Sequence, residues 1–250
     1  MELLLRRFLL AYYFFSILVS YCFLYPFFYY YSRNPSRYTR LNFFRKIWAW
    51  FTSLSAGVFF KIHYSVPIDS KRTYVICANH SSFIDTNACI MVAKGPFHFM
   101  GKQELLKNPV LKLFFNTIDV PVDRASRLNS YKAFQKTSEN LAKGMTLIIF
   151  PEAGIPNHYP PQVEEFKSGP FRLAIEHKLP ILPITLPNNW KVIWNDGKRL
   201  GMKPGVCDVY VHEPIETADL KVGDEFELKE KIRNVIKATF DEQNYSGKTQ

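Results

Sequence analysis

The chain has 250 residues, 47% of them apolar and 16% aromatic, which suits one large α/β domain or two small ones and excludes a disordered or collagen-like chain. Its formal net charge is +10, but residues 1–68 hold eight basic residues against one acid, Glu2, and so carry +7 of it. Basic residues set among Phe, Trp and Tyr point to an anionic membrane surface, and so apolar a segment argues against a nucleic-acid partner.

Phe8 to Tyr31 is an uncharged run of 24 residues, long enough to cross a hydrocarbon core as a helix. Pro26 and the abundant Tyr favour a bent helix or hairpin in one leaflet instead, and Arg on both flanks gives the positive-inside rule no direction. A removed signal peptide is the third reading, although no small-residue cleavage site follows the run. Ser32-Arg33-Asn34-Pro35-Ser36 breaks this helix. A second helix is expected from Arg37 to Lys61. Its Arg40, Arg45 and Lys46 beside Phe43, Phe44, Trp48, Trp50 and Phe51 suit the headgroup plane, or an amphipathic helix on a core. Pro67-Ile68-Asp69-Ser70 then sets the boundary between N-terminal membrane-associating helices, 1–66, and a soluble domain, 67–250.

Beyond it, short apolar runs alternate with helical patterns. The expected fold is α/β, a mixed, mainly parallel sheet flanked by helices. Strands are expected at Thr73–Ala78, Phe97–Met100, Ile118–Val122, Met145–Phe150, Ile181–Leu186 and Val206–His212. Helices are expected at Thr86–Val92, Pro109–Asn116, Leu128–Lys143, Gly169–His177 and Glu225–Thr239. Pro180 and Pro183 mark the fifth of these strands as irregular or near an edge. A polar tail from Tyr245 is expected to fray.

The chemistry concentrates at Asn79-His80-Ser81-Ser82-Phe83-Ile84-Asp85, a polar turn between a strand and a helix. A histidine and a carboxylate are the minimum for a general base and its orienting partner. On one ideal helix His80 and Asp85 would sit about 140° apart. If residues 79–82 form a turn instead, the carboxylate folds back to one ring nitrogen and leaves the other free. A plain helix cap is the alternative. No Ser or Cys is paired as a nucleophile, so the base would act on a substrate hydroxyl. Lys102 and Arg124 each follow an apolar run and could reach the same edge, where a guanidinium suits phosphate. Glu152, in Phe150-Pro151-Glu152-Ala153-Gly154, sits on a constrained turn after another strand. Phe166-Lys167-Ser168-Gly169-Pro170 opens a helix whose amides favour an anion. Cys22, Cys77, Cys89 and Cys207 lie in apolar runs without CxxC spacing and read as packed free thiols of a reducing compartment. The other histidines share no spacing with acids or cysteines, so no metal site is expected. No Walker loop or dinucleotide fingerprint is present.

Taken in order, residues 79–85, Gly101-Lys102-Gln103-Glu104-Leu105, Arg124, Phe150-Pro151-Glu152, Phe166-Lys167-Ser168-Gly169 and Ile181-Leu182-Pro183-Ile184 resemble the glycerolipid acyltransferase family. The resemblance covers roughly residues 70 to 215 and is closest to the bacterial 1-acyl-sn-glycerol-3-phosphate acyltransferases. It implies a glycerol-3-phosphate acyltransferase-like fold with an N-terminal two-helix membrane element at the cytoplasmic face of the inner membrane. It implies transfer from acyl-CoA or acyl-carrier protein to the sn-2 hydroxyl of a lyso-lipid acceptor, with no cofactor. His80 would be the general base and Asp85 its partner, with Asn79, Ser82, Lys102, Arg124, Glu152 and Lys167 binding substrate. The third block departs from the family's Phe-Pro-Glu-Gly-Thr-Arg-Ser, because Ile155 stands in place of its arginine. That keeps open another acceptor, such as a lyso-ornithine lipid or lysophospholipid. A lipid-binding protein without turnover is the non-enzymatic alternative.

Overall fold

A computed structural model describes residues 1–194 and 200–245. The tail expected to fray lies, from residue 246 onward, outside the described residues. Among the described residues, seven strands form one sheet in the order β1-β7-β6-β2-β5-β3-β4. They are β1 Val58–Tyr64, β2 Val75–Ala78, β3 Phe97–Lys102, β4 Val120–Val122, β5 Thr146–Ile149, β6 Ile181–Thr185 and β7 Gly205–Val211. Every pairing is parallel except β6 with β7, so the sheet is mixed and mainly parallel, as expected.

The alternation of side chains along a strand divides the core into two layers. Val75, Cys77, Leu147, Ile149 and Ile181 face α6 (Gly169–Glu176) and α8 (Glu225–Tyr245). Ile76, Ala78, Ile148, Leu182 and Ile184 face α3 (Asp85–Val92) and Ala49 of α2 (Tyr38–Ser55). The C-terminal helix enters the first layer through Leu228, Ile232, Ile236 and Phe240, at the four-residue spacing that keeps one helix face inward. The other connections include the helices α4 Lys112–Phe115, α5 Arg127–Ala142 and α7 Asn189–Val192.

Three sequence expectations change. The second helix does not run to Lys61. It ends at Ser55, and Gly57, at φ +67°, turns the chain into β1, whose seven residues pair with β7. The sheet thus begins before the boundary drawn at Pro67. The strand containing Pro183 is neither an edge strand nor exposed, since β6 is buried throughout between β2 and β7. Pro183 is tolerated because its carbonyl faces β7, accepting from His212 N at 3.0 Å, so the donor it lacks is not needed by the ladder with β2.

The third change concerns the N-terminal element. Its first helix, α1, runs unbroken from Glu2 to Ser32 through Pro26, and the hairpin is formed by α1 and α2 together. Arg45 does not face a membrane. It is 5% exposed, sits over the rings of Phe97, Phe99 and Phe114, and donates to Asp119 Oδ1 at 3.2 Å and Oδ2 at 2.8 Å. Asp119 in turn accepts from Phe99 N at 2.9 Å, which ties α2 to β3 and the start of β4. Arg45→Ala would leave a buried carboxylate without its partner, and a loss of about 3–5 kcal/mol is expected in denaturant unfolding. The exposed apolar residues lie on the other side of the pair: Phe8, Phe15, Phe23 and Tyr30 of α1, and Phe43, Trp50 and Phe51 of α2.

Candidate active site

Because β2, β3, β4, β5 and β6 run parallel, their carboxyl ends share one edge of the sheet, and the segments leaving them meet there. Residues 79–84 form the turn between β2 and α3 that the sequence left open. Asp85 occupies the first turn of α3, where the helix dipole favours a carboxylate. It does not cap that helix; it folds back over the turn. Its Oδ2 accepts from Ser81 N at 2.7 Å and Ser82 N at 2.8 Å, and lies 3.0 Å from His80 Nδ1. Its Oδ1 accepts from Asn189 Nδ2, on α7, at 2.7 Å. Asp85 is 0% exposed, so three donors besides the imidazole hold it in one orientation.

His80 is better accessible, with 17% of its side chain exposed, and its ring lies on Phe150 at 3.9 Å between centroids and 14° between planes. With Nδ1 turned to Asp85, Nε2 is the nitrogen that can take a proton. Glu152 supports the same residue from behind. Its Oε1 accepts from His80 N at 2.9 Å and its Oε2 from Glu164 N at 3.2 Å. Burial pushes the Glu152 carboxyl from 4.5 up to about 8, against the two amide donors, which favour the charged form. A carboxyl raised in the folded state stabilises the fold fully below its unfolded value, and that contribution disappears as pH rises through the folded value. The Tm of the wild type minus that of Glu152→Gln should therefore be largest near pH 5 and shrink toward pH 8, as followed by scanning calorimetry.

The cations also converge. Arg124 Nη1 donates to the carbonyl of Ala153. Lys102 Nζ lies so near Gly154 that a Cβ built there would be 3.1 Å from it. Both therefore border the loop in which Ile155 departs from the family pattern. Lys167 is joined to this region through its backbone, by donation to Pro151 O at 2.9 Å, and its side chain is exposed.

Asn79 and Ser82 do different work from the substrate contact expected of them. Asn79 is 2% exposed and spends its amide on Leu186, donating to its carbonyl at 3.0 Å and accepting from its N–H at 2.7 Å. Ser82 is fully buried and donates to Ile193 O at 2.6 Å. These two side chains tie the turn to the segment after β6. Sequence reading missed Asn189 altogether, and it missed the stacking of Phe150 on His80. Asn189 lies 104 residues from Asp85 without a motif to mark it. Phe150 was visible as the residue before Pro151-Glu152, but no spacing rule puts its ring on His80. Cys77 cannot act with His80, because its thiol is fully buried and burial pushes its pKa up. Cys89 and Cys207 are buried too, whereas Cys22 is exposed rather than packed.

An acyltransferase family model matches residues 59–187, the stretch that contributes β1 through β6 and every residue bonded to His80. The chain belongs to the acyltransferase family. The glycerolipid acyltransferase resemblance carried by the ordered motifs is thereby borne out. A 1-acyl-sn-glycerol-3-phosphate acyltransferase of Chlamydomonas reinhardtii is 28% identical over 72% of this chain and 54% of its own length. The mouse 1-acyl-sn-glycerol-3-phosphate acyltransferase alpha is 27% identical over 70% of this chain and 61% of its own. The chain thus spans between half and two thirds of these relatives. The crystal structure of the 1-acyl-sn-glycerophosphate acyltransferase PlsC of Thermotoga maritima shares the fold, with a TM-score of 0.77 over 96% of this chain and 97% of that one, at 24% identity.

Proposed function

We propose that this acyltransferase moves a fatty acyl group from an acyl thioester, acyl-CoA or acyl-carrier protein, to the sn-2 hydroxyl of 1-acyl-sn-glycerol-3-phosphate, giving phosphatidic acid. The observation that carries the reading is the His80–Asp85 pair, with Nε2 free at the edge where Arg124 and Lys102 converge. Nε2 takes the hydroxyl proton as the oxygen bonds to the thioester carbonyl carbon. The tetrahedral intermediate collapses, the C–S bond breaks, and the proton passes from the imidazolium to the departing sulfur. Asp85 holds the ring in place and stabilises its charged state. The two cations would neutralise the acceptor's phosphate.

The exposed apolar side of α1 and α2 supports membrane attachment, since acceptor and product reside in a bilayer. Residues 2–32 are long and apolar enough to cross a membrane. However, Leu10, Tyr13, Tyr21, Leu24 and Phe28 pack α1 along most of its length onto the rest of the chain. A helix docked lengthwise on a globular domain lies in one leaflet, and we place that leaflet at the cytoplasmic face.

Ile155 favours a second reading, in which the acceptor is another lyso-lipid with a different head group. Release of free thiol from acyl-CoA or acyl-carrier protein, measured with a panel of lyso-acceptors, separates the two. Release that depends on 1-acyl-sn-glycerol-3-phosphate is expected. Turnover with lyso-ornithine lipid or lysophosphatidylglycerol but not with this acceptor would establish the second reading. Thiol release with none of them would refute both.

A further inference from the structure

A second concave feature lies away from His80, where the start of α1 meets α7 and the turn before β7. It is a recess of about 70 Å³ lined by Arg6, Lys191, Lys203, Tyr159, Trp190 and Trp194, among others. Among the described residues that line it there is no carboxylate. Arg6 is paired with Glu2 on its own helix. Lys191 lies 5.3 Å from the centre of the Trp190 ring, and burial together with nearby Lys203 holds it below the ordinary lysine range. Lys191 and Lys203, which no carboxylate pairs among the described residues, repel one another across the recess, and an anion relieves that cost.

The recess is also built to hold α1 close. Gly201, at φ +70°, has no side chain where a Cβ would come within 2.6 Å of the Arg6 backbone, and Met202 N donates to Arg6 O at 2.9 Å. Trp190 and Trp194 are fixed by edge contacts to Tyr159 at 5.4 and 5.3 Å.

Position selects the anion. Leu3, Leu4, Leu5 and Phe8, beside Arg6, are exposed, so the apolar face of α1 begins at the rim. We propose that the recess binds the phosphate of an anionic membrane lipid and so pins the start of α1 to the bilayer surface. This rests on the reading that the apolar face of α1 and α2 meets the membrane.

The test uses the full chain and co-sedimentation with two kinds of vesicle, phosphatidylcholine alone and phosphatidylcholine mixed with phosphatidylglycerol. Binding to neutral vesicles reports the apolar face, and the added binding to mixed vesicles reports the recess. Lys191→Ala with Lys203→Ala should lose about 30-fold of the preference for mixed vesicles, from two lysines near the surface, and keep the neutral binding that shows it is folded. Lys132→Ala with Lys136→Ala, exposed lysines on α5, removes the same charge and should keep the preference. Equal loss in both double variants, or no loss in the first, would overturn the proposal. Millimolar inorganic phosphate at constant ionic strength should compete for the recess and lower the wild-type preference, whereas phosphate binding lost in the Lys191→Ala, Lys203→Ala variant without any wild-type preference for mixed vesicles would assign the recess to free phosphate and overturn the lipid source. Absent binding to neutral vesicles, with the recess-dependent preference intact, would count against the apolar face alone.

Discussion

Replacing His80 with alanine lowers turnover by about 10²–10⁴-fold, the usual worth of a positioned general base. The substitution removes a mostly buried ring with one accessible edge and leaves the hydrogen bonds beneath it intact. Asp85 keeps its bonds from Ser81 N, Ser82 N and Asn189, and Glu152 binds the backbone N–H of residue 80, which alanine retains. The loss should therefore appear in kcat, with Tm and vesicle binding close to those of the wild type. Acyltransfer at a near-normal rate by this variant would exclude His80 as the base.

Asp85→Asn is the second large effect, and the surroundings make it a clean test. The amide oxygen can take over the bonds from Ser81 N and Ser82 N. Its –NH2 then faces Asn189, whose buried Oδ1 has no partner among the described residues of the wild type. Turning the Asn189 amide over gives that –NH2 an acceptor, so the buried bonds survive while the negative charge beside the imidazole is lost. A fall in kcat of about 10²–10⁴-fold is expected with little change in Tm. Asp85→Ala instead strands Ser81 N, Ser82 N and Asn189 Nδ2, at about 1–3 kcal/mol for each group left unsatisfied, and should lose stability together with activity. Equal kcat in Asp85→Asn and wild type would reduce Asp85 to a structural group.

The contrast between these two variants explains why the turn at residues 79–85 could not be resolved from spacing. Five residues separate His80 from Asp85, which on a helix points them apart and on a turn brings them together. The choice rests on Asn79 and Ser82. They bond to Leu186 and Ile193, more than 100 positions downstream, and hold the turn open. Glu152 was legible as a constrained acid after a strand. Its partner, the backbone of His80, was not, because nothing in Phe150-Pro151-Glu152 says which strand lies alongside.

Local chemistry determined a great deal about this protein. Apolar runs of four to seven residues located six of the seven strands, and their alternation with helical patterns implied a mainly parallel sheet. Parallel order in turn put the motif-bearing ends on one edge. These signals are short-range, depending on side-chain periodicity and on Gly and Pro punctuation. The tertiary structure alone decided the partnerships across long separations. Val58–Tyr64 became a strand because β7 offered it a ladder. Arg45 went inward because Asp119, 74 residues away, was there to pair with it. Asn189 became the clamp on Asp85 because α7 follows a strand that lies beside β2. A buried polar group is stable only where a partner waits, and which residues are brought together is a property of the fold.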